Sequence, residues 1–349
     1  METPKVLTKY NEDLQLSLRG ILDFYKVEDL PVYDMLNYCF GWQDILGNDL
    51  KGETGKGLRP SLCLFAAEAL GGSYNEAIRS AISLELIHNF SLIHDEIQDF
   101  DEFRHHRPTL WAVWGFEKAL IAGDVLRVIA DKSIEFFENN SNEEANIDFN
   151  LQSECTKLLT DACLEMIEGQ YLDITFENQI DVEMSQYMNM ISKKTGALIR
   201  CSLNLGALIG TKDRKVVNIF KKAGTDLGYG FQIRDDILGI WGTENSTGKP
   251  VGADIKRKKK SIPILHAINT SSDKSREVLE NIFKKEELLD DDIFTVLSIM
   301  DDTKSLDYSE NLANEYCDKS IEHIASAKLN TASMNDFIDL AKFLALREF

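Results

Sequence analysis

The sequence predicts an all-α protein, and three observations lead to this prediction. Only 6 of the 349 residues are proline, so long stretches contain no residue that breaks a helix. Apolar side chains recur at helical spacing in these stretches, as at Leu84, Ile87 and Phe90 and again at Leu159 and Cys163. The alternation that is typical of strands is rare. We therefore expect an almost entirely α-helical chain.

The composition is that of a globular protein with a sizeable core. Apolar residues make up 44% of the chain and charged residues 28%, which excludes disorder throughout. The formal net charge of −20 argues against a general nucleic-acid binder, because phosphate backbones attract basic surfaces. No apolar run reaches the roughly 18 residues of a membrane-spanning helix, so none is expected.

The chain start and the cysteines predict a cytoplasmic location. The segment METPKVLTKYNEDLQL lacks the apolar core of a signal peptide and soon becomes acidic. The six cysteines show neither CxxC spacing nor a zinc pattern, so we expect free thiols in a reducing compartment.

We expect a single helical domain over residues 1–349, because no repeat and no long linker divides the chain. Residues 139–153 are polar and are predicted to be a loop between helices. Residues 242–252 are rich in turn-forming residues and predict a second break. The charged run at 284–292 is interpreted as a solvated connection or helix end.

The first cluster of candidate functional residues is acidic and follows an apolar helical pattern. Asp95, Glu96 and Asp99 come directly after LELIHNFSLIH. Because Asp95 and Asp99 are four residues apart, on a helix they lie on one face about one turn from each other. Two such carboxylates repel unless a cation lies between them, and Mg²⁺ commonly links carboxylates to substrate phosphates. A solvated acidic helix end is the alternative.

The second acidic cluster is Asp235-Asp236 within GYGFQIRDDILGIW. Adjacent acids in so apolar a segment are unusual, because a buried carboxylate needs a partner or a metal. If the two clusters face each other across a cavity, they form a metal clamp. A purely structural pair is the alternative.

Basic residues occur at several places where an anionic ligand could bind. Residues 249–260 hold six Lys or Arg and one acid, Asp254, within an acidic chain. The other basic groups are Lys56 and Arg59 in GKGLRP, Arg104 and Arg107 on either side of His105 and His106, and Lys194 before Thr195 and Gly196. Lysine and arginine bind phosphate. Together with paired acids they favour a small metal-bound polyphosphate over nucleic acid, whereas each group alone could be surface charge.

The ordered motifs resemble those of the trans-polyprenyl diphosphate synthases. GKGLRP, IHDEIQD, FRHHRPT, AGDVL, EGQYLD, KTGAL, GFQIRDD and GKPVGADIKRKKKSIP occur in the family's order between about residues 50 and 270. The resemblance implies a bundle of roughly a dozen helices around a deep central cavity, usually as a homodimer. It also implies Mg²⁺-dependent condensation of isopentenyl diphosphate with an allylic diphosphate (dimethylallyl, geranyl or farnesyl) to a linear trans-prenyl diphosphate.

Site residues are carried over from the resemblance position by position. It implies that Asp95 and Asp99 hold two Mg²⁺ ions and that Asp235, helped by Asp236, holds a third. The residues implied to contact the allylic diphosphate or its metals are Arg104, Lys194, Thr195, Gln232, Lys249 and Lys259. The residues implied to form the pocket for isopentenyl diphosphate are Lys56, Arg59 and His88, with His105 and Arg107 close by.

The sequence departs from the family's pattern at four points. Glu96 replaces the usual second acid of the first motif, at a position not expected to be a direct ligand. His105 stands where a second arginine usually contacts isopentenyl diphosphate, and Gly57 replaces a basic or bulky residue. Gly239 stands where the last acid of the second motif usually lies, so affinity for the third metal is the property most in question.

Product length is predicted from the residues just before the first acidic cluster. Phe90 lies five residues before Asp95, about one and a half helical turns below it, and Ser91 follows. In the family, an aromatic residue at this position, a small residue after it and no insertion in the first acidic motif resemble makers of the C20 product, with C15 as the next best prediction. Phe90 would then form the floor of the elongation pocket. The alternative is plain core packing, with the floor formed around residues 121–125.

Two other functions share part of this pattern. A class I terpene cyclase would share the first acidic motif but would not need GKGLRP, His88 and the second acidic pair together. A non-catalytic regulatory subunit of a heteromeric prenyl synthase would commonly lose the acidic motifs, which are retained here.

Overall fold

The chain is helical throughout the part described by a computed structural model, which covers residues 2–50, 57–104, 107–135, 149–177, 179, 181–243 and 250–347. Within these residues lie seventeen helices and one two-stranded antiparallel hairpin. The all-α prediction is therefore confirmed. The helices outnumber the expected dozen partly because several of them, such as Lys5–Lys9 and Ala253–Lys256, are only about one turn long.

Two compact units make up the chain, and the boundary between them falls inside three helices. The N-terminal unit comprises Thr3–Asp161 and Cys201–Asn218. The C-terminal unit comprises Met1–Glu2, Ala162–Arg200 and Ile219–Phe349.

The N-terminal half of the chain contains both strands and the first seven helices of the described residues. They are α1 (Lys5–Lys9), α2 (Asn11–Tyr25), α3 (Val32–Cys39), α4 (Leu58–Ala69), α5 (Tyr74–Gln98), β1 (Phe103–Arg104), β2 (Arg107–Pro108), α6 (Leu110–Trp114) and α7 (Phe116–Glu135).

The second half continues with longer helices. They are α8 (Phe149–Glu177), α9 (Met184–Lys194), α10 (Gly196–Gly210), α11 (Arg214–Trp241), α12 (Ala253–Lys256), α13 (Ile262–Thr270), α14 (Asp273–Phe283), α15 (Asp290–Asp302), α16 (Ser305–Ser326) and α17 (Thr331–Leu346).

Helix α5 carries the first acidic cluster and is fixed at its N-terminus and along its length. Ser73 caps it, because the Ser73 side chain accepts a hydrogen bond from the backbone of Asn75 and the Glu76 carboxylate accepts one from the Ser73 backbone. Farther along, the Ser83 hydroxyl donates to the carbonyl of Ala130 on α7 at 2.6 Å. α5 and α7 are therefore packed side by side in the N-terminal unit.

The C-terminal unit is organised around a core beneath the second acidic cluster. α9 packs against α11 and α13 through buried apolar side chains, which include Tyr187, Met190, Ile191, Ile233, Ile237, Ile262 and Leu265. α8 approaches the end of α9 so closely that a Cβ at Gly169 would lie 2.1 Å from the backbone nitrogen of Lys194. Only glycine fits there without moving Lys194, so this contact helps to fix the end of α9.

The breaks predicted from sequence are partly confirmed. α14 ends at Phe283 and α15 begins at Asp290, so the charged run at 284–292 is a connection followed by a helix start. The break at 242–252 lies between α11 and α12, with residues 244–249 outside the described part. The loop predicted for 139–153 was too long, because α8 already begins at Phe149. Residues 139–148 lie outside the described part.

All six cysteines are free thiols, and five of them are buried. No helix in the described residues is long and apolar enough to span a membrane.

Candidate functional site

The C-terminal unit contains a pocket lined mainly by charged and hydroxyl-bearing side chains, with about 470 Å³ of empty space that includes open solvent. The lining residues are Asp173, Tyr187, Met190, Ile191, Lys194, Thr195, Gln232, Asp235, Asp236, Asp254, Lys259, Lys260 and Ser261. The structure thus brings together six residues that the sequence singled out: Lys194, Thr195, Gln232, Asp235, Asp236 and Lys259.

Asp236 is the buried centre of this pocket, with only 3% of the residue exposed. Its carboxylate accepts hydrogen bonds from the Tyr187 hydroxyl at 2.7 Å, the Gln232 amide at 3.0 Å and the backbone N–H of Ile262 at 3.0 Å. Burial raises the pKa of Asp236 to about 7, although the three hydrogen bonds oppose this shift. The carboxylate thereby joins α9, α11 and α13.

Gln232 and Thr195 extend this network to the end of α9. The Thr195 hydroxyl donates to the Gln232 side-chain carbonyl at 2.5 Å, while the Gln232 amide donates to Asp236. Both polar ends of the glutamine side chain are therefore engaged, and its orientation is fixed.

Two lysines supply positive charge beside the acids. Lys194 donates to Asp173 on α8 at 2.5 Å. Burial raises the pKa of Asp173, but the charges of Lys194 and Lys259 outweigh it, so the pKa lies below its ordinary value. Lys259, which follows α12 in the chain, lines the same pocket.

The turn that follows α12 positions Lys259 next to Asp254. The Lys258 backbone has a φ of +55° and donates to the Ile255 carbonyl at 2.8 Å, and the Lys259 backbone donates to the Asp254 carbonyl at 3.0 Å. These two bonds form the usual left-handed end of a helix, with lysine where glycine is common. Asp254 and Lys259 therefore enter the pocket from one tight turn.

Asp254 occupies the space that residue 239 would fill if it had a side chain. A Cβ built on Gly239 would lie 2.0 Å from Asp254 Oδ2 and 2.5 Å from its carboxylate carbon. The sequence indicated that only Asp235 and Asp236 remain as acids of the second motif. The fold brings a third carboxylate, from α12, to the place of the missing one.

Asp235 carries a partner that the sequence did not predict. Its carboxylate, 42% exposed, forms an ion pair with Arg347, which follows α17 and whose side chain is only 6% exposed. Asp235 is thus the more accessible acid of the second motif, and Asp236 the buried one.

The first acidic cluster lies at the C-terminal end of α5 in the N-terminal unit. Asp95 is in the last turn and Asp99 ends the helix, its N–H donating to the Asp95 carbonyl at 2.8 Å. Both residues are partly exposed, whereas Glu96 is only 8% exposed and lies 3.7 Å from the Arg104 guanidinium. Burial raises the pKa of Glu96 to about 7. Glu96 therefore points inward, unlike the two acids that flank it.

Three more predicted residues lie in this N-terminal unit, namely Arg59, His88 and Arg107. The pKa of His88 is well below its ordinary value because the ring is buried and faces the charges of Arg59 and Arg104. His88 is therefore neutral at pH 7. The Arg107 guanidinium donates to the backbone carbonyls of Tyr38 and Gln43, at 3.1 and 3.2 Å, and so holds the end of α3. Lys56, His105 and Lys249 lie outside the described residues.

Phe90 is a buried residue of α5, 7% exposed. Its ring packs edge-on against His94 at 4.6 Å between centroids, and His94 Nε2 lies 3.3 Å from the Leu120 carbonyl of α7. Ile121, part of the alternative floor, is 55% exposed. Of the two, Phe90 is the more enclosed by its own unit.

The donor set fits Mg²⁺ only in combination with an anionic ligand. No group of three or more His, Cys, Asp or Glu side chains in the described residues is arranged to hold a metal alone. Mg²⁺ commonly takes one or two carboxylates together with substrate phosphates and waters. Asp235, Asp236 and Asp254 beside Lys194 and Lys259 suit such a metal-bound phosphate, because the acids can bind the metal ion and the lysines can bind the phosphate.

Sequence reasoning did not assign Asp173, Tyr187, Asp254 or Arg347 to the site. Asp173 ends the motif EGQYLD and could have been found there. Tyr187 and Arg347 are brought in only by the packing of α9 and α17, for which the sequence held no signal.

Comparisons with known proteins agree with this geometry. The family model described as Polyprenyl synthetase matches residues 45–300. A (2E,6E)-farnesyl diphosphate synthase of Mycobacterium tuberculosis is 31% identical over 99% of this chain and 94% of its own. A geranylgeranyl diphosphate synthase of the same organism is 35% identical over 71% and 68%. The crystal structure of a geranylgeranyl pyrophosphate synthetase from Pyrococcus horikoshii superimposes with a TM-score of 0.85 at 31% identity and covers 98% of both chains.

Replacing Gly239 by alanine tests the placement of Asp254. The new Cβ would force the Asp254 carboxylate, a short side-chain end, to turn away from the pocket. We expect Gly239→Ala to weaken binding of inorganic diphosphate with Mg²⁺ by about tenfold, the size of a lost charged contact. Isothermal titration calorimetry would measure it. Gly20→Ala, where a Cβ meets nothing within 4 Å, is the control. Unchanged diphosphate binding in Gly239→Ala would contradict a role for Asp254.

Proposed function

Because this chain belongs to the polyprenyl synthetase family and is a trans-prenyltransferase, we propose that it condenses isopentenyl diphosphate with an allylic diphosphate to a linear trans-prenyl diphosphate. The primer is dimethylallyl, geranyl or farnesyl diphosphate. The product we propose is C20 geranylgeranyl diphosphate, with C15 farnesyl diphosphate as the alternative, and the names of the relatives support either length. The six free thiols favour a reducing compartment, so we propose that the enzyme works in the cytoplasm.

The observation that carries this proposal is the mixed charge of the pocket in the C-terminal unit. Lys194 and Lys259 beside Asp235, Asp236 and Asp254 suit a diphosphate that arrives with cations. In the family's pattern of three Mg²⁺ ions, Asp95 and Asp99 would hold two and Asp235, helped by Asp236, the third. When bound, Mg²⁺ would neutralise the charge that develops on the leaving diphosphate.

The reaction needs the residues of this chain to stabilise a departing diphosphate. The allylic C–O bond breaks, and its electron pair stays with the diphosphate oxygen. Lys194, Lys259 and Arg104 would stabilise the charge on this oxygen as fixed donors, and Lys249 would assist them. The double bond of isopentenyl diphosphate then attacks the allylic cation. A proton leaves the new chain, and the released diphosphate accepts it.

The remaining predicted residues take supporting roles. Thr195 and Gln232 are held rigidly by their mutual hydrogen bond, so their oxygens can lie near the cation without reorganising. Lys56, Arg59 and His88, together with His105 and Arg107, would hold isopentenyl diphosphate. Neutral His88 would act as a hydrogen-bond donor rather than a charge.

The retained acids disfavour the non-catalytic subunit, and the residues for a second diphosphate disfavour the cyclase. Neither alternative explains why Lys194, Gln232 and the second acidic pair converge on one pocket.

A product assay tests the proposed activity. The protein would be incubated with Mg²⁺, isopentenyl diphosphate and, separately, C5, C10 and C15 allylic diphosphates, and the dephosphorylated products sized by mass spectrometry. We expect a linear C20 or C15 alcohol, and a loss of at least about a hundredfold in Asp95→Asn and Asp235→Asn. Asp318→Asn, at an exposed position of α16, is the matched control. A cyclic product formed without isopentenyl diphosphate, or no product with any primer, would contradict the proposal.

Phe90 is proposed as the floor of the elongation pocket, and Phe90→Ala tests this. Removal of the ring would open space beneath Asp95, so we expect products longer by one or more C5 units. Phe65→Ala is the control, because it removes an equally buried ring of the same unit, 4% exposed, from α4. If chain length stays unchanged in Phe90→Ala, Phe90 is only core packing.

We also propose a homodimer, for which the exposed apolar stripe on α8 provides support. Leu164, Ile167, Tyr171 and Ile174 recur at helical spacing and are 57%, 48%, 70% and 39% exposed. A stripe of this kind on a soluble enzyme commonly marks an interface.

Sedimentation velocity tests the dimer. We expect the wild type to sediment as a dimer at micromolar concentration and Ile167→Asp as a monomer, because a charge would be buried at the interface. Leu16→Asp, at a residue of α2 that is 64% exposed, should remain dimeric. A monomeric wild type would contradict the proposal.

A further inference from the structure

Arg347 is a buried cation in contact with Asp235, one of the acids that line the pocket. It follows α17, and its guanidinium forms an ion pair with Asp235. The same guanidinium donates to the carbonyls of Leu344 at 3.1 Å and Phe231 at 3.4 Å and lies 3.9 Å from the centre of the Phe231 ring. Its position is therefore fixed by several contacts besides the ion pair.

The backbone of Arg347 is tied to the same helix. Arg234 on α11 donates its Nε to the Arg347 carbonyl at 2.7 Å, and the Arg234 guanidinium is paired with Glu310 on α16 at 3.5 Å. Arg234 thus has its own acid and anchors the backbone of Arg347.

Among these partners of the Arg347 guanidinium, Asp235 supplies the negative charge. The acceptors on Leu344 and Phe231 are backbone carbonyls, which are neutral. Because a buried guanidinium is costly without a paired charge, the two residues depend on each other. The same carboxylate lines the pocket, where Asp236 and Asp254 add negative charge.

We propose that Arg347 is the built-in counter-ion of Asp235. It neutralises this carboxylate while the pocket holds no cation, and it competes for the carboxylate with the divalent cation that a diphosphate brings. The C-terminal end of the chain thereby sets how tightly this acid holds a metal. The inference rests on the proposed function for the nature of the cation and of its diphosphate partner.

Cation binding, without turnover, tests the inference. The probe is Mn²⁺ titrated in the presence of inorganic diphosphate, with free Mn²⁺ followed by electron paramagnetic resonance. Removal of a positive charge in contact with the carboxylate strengthens its attraction for a cation, so we expect Arg347→Gln to bind Mn²⁺ about tenfold more tightly than the wild type. Arg347→Lys keeps the positive charge, on which the attraction between the carboxylate and a cation depends, and should stay within about threefold of the wild type.

Thermal unfolding provides the second readout. Arg347→Gln leaves Asp235 without its counter-ion, so we expect a lower melting temperature without metal and a larger increase than in the wild type when Mg²⁺ and diphosphate are added. Arg276→Gln is the matched control. Arg276 also donates to two backbone carbonyls, those of Ile268 and Asn269, but it is not paired with an acid that lines the pocket.

An Arg347→Gln variant that binds Mn²⁺ no more tightly than the wild type would overturn the inference, because Arg347 would then be a structural tie. If the wild-type protein forms a prenyl product in the product assay, the proposed function still stands. A wild type that binds no Mn²⁺ with diphosphate would overturn both.

Discussion

The site depends first on one buried carboxylate that accepts three hydrogen bonds. Asp236 binds the Tyr187 hydroxyl of α9, the Gln232 amide one turn earlier on α11 and the backbone at the start of α13. Removal of this carboxylate would leave three buried donors without their acceptor, which is costly. Thr195 is connected to Asp236 through Gln232, and Asp235 is the neighbour of Asp236 in the chain. Because the same helices place these residues, the geometry of the pocket follows from the contacts of Asp236.

The pocket is also a balance of charges inside an acidic protein. Lys194 is paired with Asp173, and Asp235 with Arg347. Two of the charges that a metal-bound diphosphate would meet, those of Lys194 and Asp235, are therefore already compensated by the chain. A ligand that brings both signs can exchange these internal partners for its own without leaving a buried charge unpaired. An anion alone would pair only with the basic side chains, and a cation alone only with the acidic ones.

The sequence predicted the helices and singled out six of the thirteen residues that line this pocket. Acids placed among apolar residues at Asp235-Asp236 required partners, and helical spacing fixed the acids at the end of α5. It could not predict that Asp254 fills the space at Gly239, because the turn after α12 decides this and its φ of +55° falls on Lys258, a residue without glycine's preference. Arg347 was equally hidden, since 112 residues separate it from Asp235.

A crystal structure with Mg²⁺ and a non-hydrolysable allylic diphosphate analogue would show whether this pocket binds a metal-bound diphosphate. We expect the diphosphate beside Lys194 and Lys259 and a metal ion on Asp235, while Asp236 remains bound to Tyr187 and Gln232. A diphosphate bound elsewhere, or bound at this pocket with no metal on Asp235, would contradict this expectation.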